Sequence, residues 1–305
     1  MEIRKFVDAL QPNRPLTGDD GRYVDRSIGS GRELAHWALR EPRVVAVGPP
    51  GIGKSTELMR AAKELQPSAI AVLTPLDRLL DVHQIQPNDV FSACCEQLAN
   101  LTKKLGFVTW PEDMSAERPS FEHPLDELLD LVRRTDNKSR QGRVIFLVDG
   151  LEKCDEKVSR AALLELSRLR DEVGVIVTAP AALVTGPMAF TVLEEFRLFS
   201  IRALPLTQAA PFLRTVLERR GVGLPPGMDE LVQAAIDLSG GIPRIFLSLI
   251  KSAAIYADLD GRDRVTKEDF NAAADQHRDS HRRVLAQGDV ELMNTMKMIN
   301  QLPTD

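Results

Sequence analysis

Residues 43–56 read RVVAVGPPGIGKST, and they are the strongest indication of the fold class. The run Arg43–Val47 is short, apolar and rich in β-branched residues, which predicts a buried strand. Residues 48–55 then match the pattern G-x-x-x-x-G-K-[ST], and the apolar side chains after Thr56 recur at helical spacing. A strand, a glycine-rich loop and a helix in this order predict a cradle in which backbone N–H groups at a helix N-terminus face a phosphate chain.

The loop predicts binding of a nucleoside triphosphate together with Mg²⁺. Lys54 is expected to neutralise the β- and γ-phosphates, and the hydroxyl of Ser55 is expected to ligate the metal. The other residues of the loop and first helical turn that are expected to contact the nucleotide are Gly48, Pro50, Gly51, Ile52, Gly53 and Thr56. The alternative is a plain glycine turn between strand and helix, which the order of strand, motif and helix disfavours.

A second buried strand ends in a carboxylate. The run VIFLVD at residues 144–149 places Asp149 where a parallel sheet delivers metal ligands, so Asp149 is expected on the Mg²⁺ side of the site. The next acid along the chain, Glu152, is expected to polarise the attacking water. Lys54, Asp149 and Glu152 are therefore the predicted catalytic residues. Two alternatives stay open: an ordinary Asp-Gly turn after the strand, and a solvated surface acid at Glu152.

Two further segments place polar residues where a nucleotide can be sensed. Thr178 ends the run VGVIVT and is expected either to sense the γ-phosphate or to satisfy backbone groups at a strand end. Residues 239–244 read SGGIPR between two helical patterns. Pro243 is expected against the adenine or ribose, and Arg244 on the phosphates. The alternative is a glycine helix cap followed by a proline helix start.

Strand patterns alternate with helical ones as far as Pro205, and the apolar period is helical from there on. This predicts the α/β class, with a three-layer core around a parallel sheet and then a small all-helical lid. The expected strands are residues 43–47, 68–76, 144–148, 173–178 and 199–204. TKED at residues 266–269 predicts a capped helix start. The expected divisions are an N-terminal linker at 1–40, a core at 41–205, a lid at 206–283 and a helical tail at 284–305.

The composition is ordinary for a globular protein: 305 residues, 43% hydrophobic, with 39 Lys+Arg against 44 Asp+Glu. A net charge of −5 and 5% aromatic residues do not favour a nucleic-acid-binding surface. Three cysteines without metal-type spacing argue against a disulfide scaffold or a zinc module, and they fit a reducing cytoplasm. The charged start MEIRKFVDALQ does not indicate export, and the apolar runs are far shorter than the roughly 20 residues of a membrane helix. We therefore expect a cytoplasmic protein without a membrane partner.

These motifs, in this order, resemble those of P-loop NTPases of the signal-transducing STAND and NACHT type and of the origin-recognition branch of AAA+ proteins. The likeness rests on the loop, the strand that ends Asp149-Gly-Leu-Glu, Thr178 and the SGGIPR segment, and it covers roughly residues 20–283. The resemblance implies binding of ATP or ADP and Mg²⁺ at the junction of core and lid, and assembly controlled by the nucleotide. It also implies that the N-terminal linker at 1–40 contributes to the adenine pocket, with the segment around Tyr23 and Val24 packed on the adenine.

The chain departs from the family pattern in three respects. Many AAA+ ATPases carry a glutamate directly after the aspartate, where this chain has Gly150, and NACHT proteins usually carry a second acid where it has Lys153. Gly150 implies either slow hydrolysis or a transfer of the base role to Glu152. Origin-recognition proteins also carry a winged helix, for which this sequence leaves no residues. By position, Arg197 is a candidate arginine finger acting on a neighbouring copy, with an ordinary surface arginine as the alternative.

The function that these features predict is a slowly hydrolysing ATP switch or assembly module that works with copies of itself or with a protein partner. One alternative is a DNA-loading AAA+ ATPase, which the acidic charge balance disfavours. The other is a small-molecule kinase with its acceptor pocket in the helical stretch 77–142, where no acceptor-binding signature is evident.

Overall fold

The apolar runs of the sequence form strands, and the amphipathic stretches form helices. In this computed structural model the described residues are 2–17, 19–105, 124–136, 142–169, 173–185, 189–221 and 223–282. The predicted helical tail at 284–305 lies outside them. Contacts divide the chain into two units: the α/β unit is Asn13–Pro205, and the helical unit joins Met1–Pro12 to the part that begins at Leu206.

The elements are numbered in chain order. Those of the α/β unit are α2 (Gly31–Ala38), β1 (Arg43–Val47), α3 (Lys54–Leu65), β2 (Ile70–Pro75), α4 (Leu76–Leu79), α5 (Pro87–Lys104), α6 (Pro124–Asp136), β3 (Val144–Asp149), a 3₁₀ turn (Leu151–Lys153), α7 (Glu156–Leu166), β4 (Gly174–Thr178), α8 (Ala182–Thr185), α9 (Ala189–Glu195) and β5 (Arg197–Ser200). Those of the helical unit are α1 (Glu2–Ala9), α10 (Leu206–Glu218), α11 (Asp229–Ser239), α12 (Pro243–Leu259) and α13 (Lys267–Arg282).

The described strands form one five-stranded sheet in the order β2-β3-β4-β1-β5, with every pair parallel. β1 lies between β4 and β5, with Val45 opposite Val177 on one side and Leu198 on the other. Because all strands run the same way, the carboxyl ends of β1, β3 and β4 lie at one edge of the sheet. Open α/β sheets bind their ligands at this edge. This edge therefore carries the glycine-rich loop after β1, Asp149 at the end of β3 and Thr178 at the end of β4.

Helices cover both faces of the sheet, which confirms the predicted α/β class. Phe146 and Val148 of β3 belong to a core cluster shared with α5, α6 and α7. Ile145 and Leu147 alternate with them along the strand and are also fully buried. They point to the opposite face, where α3 contacts β3.

The last strand begins earlier than predicted. The apolar pattern favoured residues 199–204, whereas β5 is Arg197–Ser200. Among the described strands β5 pairs with β1 alone, from Val44 opposite Arg197 to Val47 opposite Ser200. β1 ends at Val47 because the chain then turns into the glycine-rich loop. The position of the partner strand, rather than apolar character, therefore sets the bounds of β5.

The first helix belongs to the helical unit, so the predicted linker at 1–40 is divided in two. Ile3, Phe6 and Leu10 are buried, and α1 packs against α12. Lys251 of α12 also donates a hydrogen bond to the carbonyl of Leu10 at 2.8 Å. Residues 13–40 instead belong to the α/β unit. The amphipathic pattern of a helix this short does not tell which unit its apolar face will meet.

The helices that the spacing predicts after Pro205 are present as α10 to α13. The predicted cap of α13 is also confirmed: the amide of Thr266 donates to Asp269 Oδ2 at 2.8 Å, and the amide of Asp269 donates to Thr266 Oγ1 at 3.4 Å. Among the described residues, none of the helices has both the length and the apolar character needed to span a bilayer.

Candidate nucleotide-binding site

The glycine-rich loop leaves β1 at the carboxyl edge of the sheet and ends at α3. Gly48 is tightly packed, because a Cβ there would meet the carbonyl oxygen of Ile201 at 2.4 Å. Gly51 and Gly53 have φ values of 82° and 105°, which side-chain-bearing residues rarely adopt. A Cβ on Gly53 would meet nothing within 4 Å. One side of the loop is therefore packed against the protein, while the side at Gly53 faces open space.

Lys54, the first residue of α3, is turned inward. Its Nζ donates a hydrogen bond to the carbonyl of Gly48 at 3.0 Å and lies 3.6 Å from Glu152 Oε1. The two side chains are only 7% and 15% exposed, so solvent screens the pair weakly. Glu152 lies in the 3₁₀ turn after β3. The loop and the acidic strand end, recognised separately in the sequence, thus meet in the fold.

Ser55 and Asp149 are in direct contact. Burial raises the pKa of Asp149, and a hydrogen bond from the Ser55 side chain opposes that rise. A hydroxyl and a carboxylate are oxygen ligands of the kind that Mg²⁺ prefers. The part of the chain that the structure describes contains no group of three or more His, Cys, Asp or Glu arranged to hold a metal ion. The donors at this position therefore fit a magnesium ion only if nucleotide oxygens and water complete its coordination.

Thr178 joins the ends of β3 and β4. Its hydroxyl donates to Glu152 Oε2 at 2.5 Å and accepts a hydrogen bond from the amide of Gly150 at 2.9 Å. Asp149 Oδ1 lies 3.4 Å from the same hydroxyl. Thr178 is fully buried, so these contacts hold the turn that carries Glu152 in one position. The geometry fits the alternative in which Thr178 satisfies a backbone group at a strand end, because its hydroxyl accepts the Gly150 amide. Sensing of the γ-phosphate by Thr178 stays a prediction.

Asp77, which the sequence analysis did not single out, lies beside the acidic strand end. It follows β2, the strand paired with β3, and its carboxylate forms an ion pair with Lys153. A Cβ on Gly150 would meet the amide nitrogen of Asp77 at 3.3 Å, and Gly150 has a φ of 102°. An acid at position 150 would therefore be strained and crowded. The polar residue just past the end of β2 was the available signal, but only the strand order makes it a neighbour of Asp149.

The segment expected to contact adenine packs on α3. Tyr23 is 8% exposed, its hydroxyl donates to Glu57 Oε2 at 2.9 Å, and the guanidinium of Arg60 lies 5.3 Å from its ring centre. The amide of Leu16 also donates to the hydroxyl of Thr56 at 3.3 Å. Val24, next to Tyr23, is half-buried. The adenine contact of Tyr23 and Val24 stays a prediction, and for Tyr23 it must compete with these internal contacts.

The remaining candidates have defined local positions. Pro243 is the first residue of α12, and Gly240 caps α11 with a φ of 57°, so the helix-cap interpretation of SGGIPR is satisfied. Nucleotide contacts of Pro243 and Arg244 stay a prediction.

Arg197 lies at the start of β5, with its guanidinium 4.5 Å from the ring centre of Trp37. Its role as an arginine finger also stays a prediction.

Sequence comparison matches a family model to part of the chain. The family model of the N-terminal part of nephrocystin 3 matches residues 29–179, slightly less than half of the 305 residues. That range contains the glycine-rich loop, Asp149, Glu152 and Thr178. No curated protein matches the chain.

Several solved structures share the fold. The chain is similar to the Aeropyrum pernix ORC2 protein in its ADPNP-ADP complexes, with 15% identity, a TM-score of 0.56 and coverage of 88% of this chain and 70% of that one. It is similar to a Walker-type ATPase of Pyrococcus abyssi, with 14% identity, a TM-score of 0.59 and coverage of 94% and 80%. For the Aeropyrum pernix ORC1 protein in complex with DNA, the values are 20%, 0.56, 92% and 72%. The chain therefore has the fold of P-loop ATPases of the origin-recognition type.

Proposed function

We propose that the chain binds ATP with Mg²⁺, hydrolyses it slowly and acts as a nucleotide-controlled switch. The observation that carries the proposal is the meeting of Lys54, Ser55, Asp149 and Glu152 beside a glycine loop with open space at Gly53. The fold likeness to ATPases supports it, because ORC2 of Aeropyrum pernix was solved with nucleotides in its ADPNP-ADP complexes.

Each binding group has a distinct task. The backbone N–H groups at the start of α3 would hold phosphate oxygens, and the Lys54 ammonium would exchange the Gly48 carbonyl and Glu152 for them. Ser55 and Asp149 would hold Mg²⁺, which supplies positive charge to the phosphates when bound. The pKa of Asp149 is raised by burial, so a cation beside it would favour its charged form.

Glu152 is the residue that we assign to accept the proton of the attacking water. A new bond forms from the water oxygen to the γ-phosphorus, the bond to ADP breaks, and the proton passes to the carboxylate. In the structure, Glu152 is shared between Lys54 and Thr178. A base held by two partners, and displaced from the position directly after Asp149, supports slow rather than rapid turnover.

A calorimetric titration of ATP with Mg²⁺ tests the proposal. Lys54→Ala is expected to weaken binding by about 100-fold, because charge-assisted hydrogen bonds to phosphate are lost. Lys63→Ala is the matched control: it removes a lysine from the same helix, where the side chain is 41% exposed and pairs with Asp19. Equal affinities of the wild-type protein, Lys54→Ala and Lys63→Ala would remove the central assignment.

The switch is proposed to control assembly with further copies of the chain or with a protein partner. The mass in solution should be measured without nucleotide, with ADP and with a non-hydrolysable ATP analogue. A larger mass with the analogue alone is expected. The same mass in all three conditions, with binding established by calorimetry, would restrict the chain to nucleotide binding without self-assembly.

A DNA-loading ATPase is the second candidate. The observation in its favour is the fold likeness to Aeropyrum pernix ORC1, which was solved in complex with DNA. The net charge of −5 is against it. Retention on duplex DNA that falls steeply with salt would support this candidate, and no retention at low salt would exclude it.

A further inference from the structure

A buried arginine lies under the glycine-rich loop. Arg26 is 5% exposed; its Nη1 donates to the carbonyl of Ile52 at 2.8 Å, and its Nη2 donates to the carbonyl of Arg202. Ile52 is a loop residue, and Arg202 lies just beyond β5. Burial of a guanidinium is costly unless its hydrogen bonds and charge are compensated. The arginine therefore links the glycine-rich loop to the segment that follows β5, the strand paired with β1.

The counter-charge comes from α3, the helix into which the loop runs. Glu57 is 3% exposed, and its Oε2 accepts hydrogen bonds from the hydroxyl of Tyr23 at 2.9 Å and from the amide of Gly31 at 2.6 Å. The carboxylate of Glu57 and the guanidinium of Arg26 attract each other electrostatically. Glu57 thus holds both ends of the segment from Tyr23 to Gly31, with Arg26 between them.

Peptide geometry links this contact to the phosphate side of the loop. In a trans peptide the C=O and the following N–H point in opposite directions, and none of the described peptide bonds is cis. The carbonyl of Ile52 points to Arg26, so the N–H of Gly53 points the other way. The Gly53 N–H therefore points away from the buried side of the loop, where Arg26 lies. The space beside Gly53 is open, because a Cβ on this residue would meet no atom within 4 Å.

We propose that Arg26 is a positioning residue of the phosphate cradle: it holds the Ile52 carbonyl so that the Gly53 amide faces the bound phosphates. The inference rests on the proposed function and adds a residue that lies outside the loop motif. Arg26 acts through the peptide and does not touch the nucleotide. Loss of the Arg26 side chain should therefore weaken the binding of phosphate groups, both in nucleotides and in inorganic polyphosphate.

The test compares Arg26→Met, Arg26→Lys and the control Arg60→Met in the full chain. Arg60 packs over Tyr23 and pairs with Glu64, so its replacement disturbs the same layer. Binding of ADP and of inorganic tripolyphosphate is measured by calorimetry. Arg26→Met is expected to lose about 10-fold or more for both ligands, whereas Arg26→Lys, which keeps a charged donor for the Ile52 carbonyl, stays within about 3-fold of wild type.

The outcomes separate the inference from the proposed function. If the wild-type protein binds neither ligand, the proposed function fails and the inference fails with it. If the wild type binds both and Arg26→Met binds equally well, or if Arg60→Met loses as much, the inference alone is overturned. Should Arg26→Met fail to fold, the nitrogen-15 spectrum of the wild-type protein decides: the Gly53 amide resonance must shift when tripolyphosphate is added, and an unmoved resonance overturns the inference.

Discussion

Glu152→Gln is the substitution that most directly tests the assigned chemistry. The glutamine amide still accepts the hydrogen bond that Thr178 donates to this side chain at 2.5 Å. It does not carry the charge that lies 3.6 Å from Lys54, and it does not accept a proton from water. The local turn should therefore remain folded while the base is lost, which separates a catalytic role from a structural one.

Glu152→Gln is expected to slow ATP turnover but to strengthen ATP binding. A positioned general base contributes about 10²- to 10⁴-fold, so single-turnover phosphate release should slow by at least about 100-fold. Nucleotide binding must break the ion pair between Lys54 and Glu152, whose side chains are 7% and 15% exposed. If releasing that pair costs about 1 kcal/mol, Glu152→Gln should bind ATP about fivefold more tightly.

Phosphate release under single-turnover conditions and ATP affinity by calorimetry are measured side by side. Glu156→Gln is the matched control, because Glu156 is an exposed acid in the first turn of α7. Turnover of Glu152→Gln at the wild-type rate would refute the base assignment. Weaker ATP binding in the same variant would refute the view that Glu152 competes with phosphate for Lys54.

Two further predictions concern stability. Gly150→Ala should lower the free energy of unfolding by about 1–3 kcal/mol in a denaturant titration, because φ is 102° there and the Asp77 amide nitrogen lies 3.3 Å from the added Cβ. Unchanged stability would show that a Cβ is tolerated at this position and would contradict the strain argument. Burial raises the pKa of Glu57 from 4.5 to about 7, so the folded state holds its proton more tightly than the unfolded chain does. Wild-type stability should therefore decline as the pH rises through that range, by about 3 kcal/mol at most, and Glu57→Gln should remove this part of the decline; a parallel pH profile in the variant would contradict the cause.

The local parts of the site could be predicted because they depend on short-range physics. The β-branched run before Gly48, the glycines that adopt positive φ and the apolar spacing of α3 each favour one local structure. Asp149 was recognisable for the same reason, as a carboxylate at the end of a buried strand. In contrast, the bounds of β5 and the unit to which α1 belongs depend on partners distant in the chain, and both differed from the prediction.

Local patterns in the sequence predict the order of strand, loop and helix, the acidic strand end and the helices after Pro205. Which side chains meet at the site depends on how these elements pack together. The strand order β2-β3-β4-β1-β5 brings Asp77 and Thr178 to the two sides of the β3 end, and the segment before α2 brings Arg26 under the loop. The spacing of apolar residues along the chain indicates whether one segment forms a helix or a strand. The pairing of elements is fixed by burial and hydrogen bonding between residues that no local pattern connects.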